Sequence, residues 1–62
     1  MPSILIVDDD ADLSAIVARY LESEGFAVER AASAEEAYDV LATRAFDLVL
    51  LDINLQIGRA HV

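Results

Sequence analysis

Two stretches of this chain share one design: four apolar residues running straight into a carboxylate. Leu48-Val49-Leu50-Leu51 leads into Asp52, and Ile4-Leu5-Ile6-Val7 leads into Asp8, Asp9 and Asp10. A short continuous apolar run suits a strand buried on both faces, as in the middle of a parallel sheet. Such strands deliver their last residues to the carboxyl edge of the sheet, where open α/β folds bind ligands. For the Leu48 to Leu51 stretch alone, Asp52 as a plain solvated strand end is the alternative. Side by side, roughly 4.8 Å apart, the two strands would crowd Asp8, Asp9 and Asp52 at one edge. Like charges so close cost stability unless a cation sits among them. No Lys or Arg is adjacent in sequence, so these carboxylates point to a hard divalent ion, Mg²⁺ first.

Between the two runs the periodicity changes. Leu13, Ile16, Val17, Tyr20 and Leu21 recur at helical spacing and predict one apolar stripe. Asp10 or Asp12 can cap that helix, where acid also favours the macrodipole. Gly25 supplies the left-handed residue that ends it. Phe26 to Ala31 predicts a shorter strand nearer an edge. Ser33-Ala34-Glu35-Glu36 reads as a capping box, Ser33 accepting from the Glu36 amide and Glu36 reaching back to Ser33. The helix it opens carries Ala37, Val40 and Leu41 inward, with Tyr38 at the margin, and ends near Thr43 or Arg44. The order is β-α-β-α-β with short connections, which implies right-handed crossovers and a parallel sheet.

Composition narrows the function. A formal charge of −8 on 62 residues argues against direct contact with nucleic acid. No apolar run is long enough to span a membrane or serve as a signal peptide. The absence of cysteine removes disulfides and thiolate metal sites and fits a reducing, cytoplasmic compartment. Arg19, Arg30 and Arg44 fall outside the acidic stretches and read as surface residues, and His61 sits in an unpatterned segment.

The strand ending in Asp8-Asp9, the Gly25 turn, the Ser33-Ala34-Glu35-Glu36-Ala37 helix start and the strand ending in Asp52-Ile53-Asn54 resemble, in that order and spacing, the N-terminal half of a response-regulator receiver domain. The resemblance covers Ile4 to Leu55. It implies a flavodoxin-like α/β fold, truncated after the third strand, with those strands ordered 2-1-3. Residues 1–55 would be a partial receiver domain. The resemblance makes Asp52 the acceptor of a phosphoryl group from a histidine kinase or phosphotransfer protein. Asp9 and Asp52 would be carboxylate ligands of Mg²⁺, Asp8 would act through water, and Asn54 would give its backbone carbonyl. Asn54 as a simple turn residue is the plainer reading. A signalling module rather than an enzyme is expected, without membrane contact and with an output domain that this segment does not name.

The pattern departs from the family after Leu55, where Gln56 stands in place of the usual proline. Gln56 to Val62 can be encoded by DNA containing AGATCGGAAGAGCACACGTC, which resembles a common sequencing adapter. Residues 56–62 are therefore expected to be a non-native tail on a fragment. Two other functions compete. A Mg²⁺-dependent phosphohydrolase with an aspartyl nucleophile would favour Asp where Asn54 stands, and a nucleotide-binding domain would need a Gly-rich loop after Val7, which is absent.

Overall fold

The structure, a computed structural model, describes residues 1–51. Asp52, Asn54 and the 56–62 tail lie outside the described residues. Five elements follow one another: β1 (Ser3–Val7), α1 (Ala11–Ser23), β2 (Ala27–Ala31), α2 (Ala34–Thr43) and β3 (Leu48–Leu51). The strands form one parallel sheet in the order β2-β1-β3. Element order, sheet sense and strand order are those expected for the first part of a flavodoxin-like fold.

β1 organises the core because its side chains alternate between two helices. Leu5 and Val7 are fully buried and pack with Ala31 and Ala37, backed by Val40 and Phe46. Ile4 and Ile6 pack with Ala18, backed by Val17, Leu21, Phe26 and Val28. α2 and α1 thus cover opposite faces of the sheet. Leu5→Ala should cost the folded unit about 3 kcal/mol, the usual scale for a buried leucine. Leu41→Ala, at a half-exposed position, should cost under about 1 kcal/mol. Urea unfolding monitored by circular dichroism checks the ranking, and equal costs would contradict this account of the core.

Hydrogen bonds at the amino ends of the strands fix the register. The Asp47 amide donates to the Ser3 carbonyl at 2.9 Å, and the Ser3 amide donates to Asp47 Oδ2 at 2.8 Å. On the other side the Ala27 amide donates to the Pro2 carbonyl at 2.9 Å. From these anchors the strands run in step to Val7, which pairs with Ala31 on β2 and Leu51 on β3.

The α1 stripe differs from its sequence reading. The residues turned to the sheet are Ser14, Val17, Ala18 and Leu21, whereas Leu13, Ile16 and Tyr20 are exposed. Small Ser14 and Ala18 let the helix lie close to the strands, and the described strands leave part of the apolar arc uncovered. Leu41 on α2 is likewise more exposed than its spacing implies. Nor is β3 buried on both faces: Leu48 to Leu51 are all exposed, because among the described residues β3 lies at the sheet edge.

The ends of the helices follow local chemistry. Asp10 is the N-cap of α1, its Oδ1 accepting from the Leu13 amide at 3.0 Å. After α1, Gly25 adopts φ +99°. The Gly25 amide then donates to the Glu22 carbonyl and the Phe26 amide to the Leu21 carbonyl, the paired bonds of a Schellman end. Ser33 caps α2 through the Glu36 amide as expected. The return bond differs by one residue: Glu36 Oε1 accepts from the Ala32 amide, not from Ser33.

Candidate functional site

The carboxyl ends of β1 and β3 lie side by side at one edge of the sheet. Val7 pairs with Leu51, and the next residue after each is an aspartate, Asp8 on one strand and Asp52 on the other. Consecutive Cα atoms lie about 3.8 Å apart, so the register carries both chains to the same edge before the described residues end. Asp52 and Asn54 themselves lie outside those residues.

Asp8 is held from two directions. Its amide donates to the Ala31 carbonyl at 3.0 Å, extending the β1–β2 ladder by one bond. Its Oδ1 accepts from the Asp10 amide at 2.8 Å, an Asx turn that folds the chain from strand into helix. The residue is only 9% exposed, so its carboxylate has a fixed place under the turn. Asp9, at the apex, is exposed. Asp10 is occupied with capping, and exposed Asp12 lies in the first turn of α1. Four consecutive or near-consecutive acids are thereby separated in role by backbone geometry alone.

This arrangement fits a hard cation. Asp8 and Asp9 offer oxygen donors only, which suits Mg²⁺ better than a softer metal. Asp8 is pre-positioned by the Asp10 amide, the kind of outer support that orients metal ligands. Among the described residues no three of His, Cys, Asp and Glu gather closely enough to hold a metal. Asp8 and Asp9 are thus the part of the expected set that lies within them.

Two residues near this edge carry no signal in the sequence. Arg30, on β2 and exposed, donates through Nη1 to the Ala11 carbonyl at 3.2 Å and to Ser14 Oγ at 3.1 Å. Ser14, only 4% exposed, also donates from Oγ to the Ala11 carbonyl at 3.2 Å. Ser14 sits between apolar residues of α1, and Arg30 is nineteen residues from the helix carbonyl that it meets. Only the β1–β2 register brings them together. Arg44, by contrast, pairs with Glu29 at 3.0 Å on the surface and lies over the Phe46 ring, away from the acidic turn. Exposed pairs of this kind contribute little. Among the described residues no helix is long and apolar enough to cross a membrane.

Comparison with known proteins follows the same outline. The family model described as response regulator receiver domain matches residues 4–58. The chain is 46% identical over 56 residues to the nitrogen assimilation regulatory protein NtrX of Azorhizobium caulinodans, covering 90% of this chain and 12% of that protein. It is 43% identical over 53 residues to a putative response regulator, NtrX-like, of Rickettsia bellii, covering 86% and 11%. With the transcriptional regulatory protein CpxR of Escherichia coli it shares 45% identity over 55 residues, covering 89% and 23%. The chain therefore spans between about a tenth and a quarter of the relatives that it matches. No solved structure matches.

Proposed function

The chain belongs to the response regulator receiver domain family, and on that premise we propose that it is the phosphoacceptor segment of a two-component relay, with Asp52 as the acceptor. The observation that supports this reading is the Val7↔Leu51 register: in sequence an aspartate follows each of the two residues, Asp8 after Val7 and Asp52 after Leu51. A carboxylate oxygen of Asp52 forms the new O–P bond. The P–N bond to a phosphohistidine of the kinase or phosphotransfer partner breaks, and the imidazole leaves with the electron pair. Asp8 and Asp9, with Asp52 and the Asn54 carbonyl, are the groups that would hold Mg²⁺. When bound, the ion offsets charge on the transferring phosphoryl group and orients it. Asp8 keeps its carboxylate fixed through the Asp10 amide, while exposed Asp9 is the more accessible donor.

The unit so defined is residues 1–55, in a cytoplasmic protein whose output lies elsewhere. The family model reaches residue 58, and the reading of residues 56–62 as a foreign tail is a proposal that sequencing the gene past the Leu55 codon tests directly. A phosphohydrolase with the same nucleophile is the other reading. It predicts catalytic release of phosphate from a small ester, whereas a relay module takes up one phosphoryl group per site.

Metal binding tests the ligand assignment. In the full-length protein, Asp9→Ala should weaken Mg²⁺ binding by on the order of 10-fold or more, the scale of removing a support or ligand of a metal. Asp12→Ala, which touches only the exposed first turn of α1, should change it less than about 2-fold. Calorimetric titration reads both. Equal effects would remove Asp9 from the site.

A further inference from the structure

We infer that Arg30 is a positioning residue for the acidic turn, acting with Ser14 to lock the start of α1 against β2; the inference rests on the proposal that Asp8 and Asp9 serve a Mg²⁺ site. The hydrogen bonds close a circuit. From β2, the Ala31 carbonyl holds the Asp8 amide. Asp8 Oδ1 holds the Asp10 amide. Asp10 caps α1 through the Leu13 amide, and its carbonyl accepts from the Ser14 amide at 3.0 Å. Ser14 Oγ and the Ala11 carbonyl then accept from Arg30, and Arg30 is the residue next to Ala31 on β2. The turn carrying Asp8 and Asp9 is thus gripped twice by the same strand, once through backbone and once through a guanidinium.

Helix stabilisation does not explain a cation in this place. A positive charge at the first turn of a helix opposes the macrodipole. The contact is also directional: one guanidinium nitrogen meets two oxygens of the first turn, and one of those oxygens is on a buried serine. Hydrogen bonds from a charged donor are the stronger kind. If α1 shifts, the Asp10 amide shifts with it, and the Asp8 carboxylate loses its fixed donor. The clamp borders a cleft of roughly 620 Å³, whose lining includes Asp8, Ser14, Arg30, Ala31 and Glu36, so the guanidinium lies at a solvent-open face and can be altered without opening the core.

The sign of the effect on Mg²⁺ separates positioning from simple charge. Removing a cation near a metal site strengthens metal binding if charge alone matters. Removing a clamp weakens it. In the full-length protein, Arg30→Met should weaken Mg²⁺ binding about 3- to 10-fold, at or below the range usual for groups that orient metal ligands. Ser14→Ala, which leaves the bond from Arg30 to the Ala11 carbonyl, should give a smaller loss, and the double variant should bind no worse than Arg30→Met, since the Arg30–Ser14 bond is already lost there. Calorimetric titration with Mg²⁺ alone reads all four proteins. Unchanged or tighter binding in Arg30→Met overturns the inference, as does strict additivity in the double variant. If Asp8→Ala and Asp9→Ala both leave Mg²⁺ binding intact, the metal site itself is misassigned, a failure distinct from that of the clamp.

Discussion

Asp52→Asn should abolish hydroxylamine-sensitive phosphoryl labelling of the full-length protein, whatever the donor. Asparagine nearly matches aspartate in shape, so the substitution changes chemistry with little change of volume. It removes the anionic oxygen that attacks phosphorus and one negative charge from the set proposed for Mg²⁺. The acceptor assignment rests on the last described pair of the register, Val7 with Leu51, since Asp52 is the next residue in sequence after Leu51. Asp12→Asn is the matched control, because it removes equal charge from the first turn of α1. Labelling should fall to background in the first variant and persist in the second. Full labelling of Asp52→Asn, or its transfer to Asp9, would sink the acceptor assignment.

The sequence carried the sheet because its strands are marked twice, by apolar runs and by the turn chemistry between them. Asp10, Gly25 and Ser33 each act within a few residues of themselves, so their roles follow from local pattern. What the pattern does not carry is which part of an apolar arc meets the sheet. Leu13, Ile16 and Tyr20 satisfy helical spacing as well as Val17 and Leu21 do, yet close approach by Ser14 and Ala18 turned them outward. For β3, four apolar residues state a preference for burial, while burial itself depends on what lies beside the strand, and the order 2-1-3 leaves this one at an edge among the described residues. At the site, Asp8 and Asp9 were legible as acids following a strand. Arg30 was not, because its contact joins residues far apart in the chain and depends on the parallel pairing of Ile6 with Arg30 and of Val7 with Ala31.

As a separate 62-residue polypeptide, this chain should associate through β3 rather than remain monomeric at about 100 µM. Among the described residues β3 is a terminal strand of the sheet, uncharged throughout, with exposures of 50%, 37%, 37% and 65% along Leu48 to Leu51. An exposed apolar edge presents unpaired amides and carbonyls together with side chains that gain by leaving water. Each such residue, if covered by another chain, contributes on the order of 1 kcal/mol, so a strand of four can offset part of the entropy lost on association. Natural edges resist this with charge, lysine above all, and β3 has none. Leu48 is half exposed, pairs with Ile4 at the amino end of the strand and is remote from Asp8, so a lysine there changes the edge without entering the acidic turn. Leu48→Lys should lower the association constant at least about 10-fold, equivalent to about 1.4 kcal/mol, while leaving the circular dichroism of the helices intact. Sedimentation velocity across a concentration series measures both proteins. A wild-type chain that sediments as a monomer throughout, or an association that the lysine leaves untouched, would place the adhesive surface elsewhere, with the exposed Leu13, Ile16 and Tyr20 flank of α1 the next to be substituted.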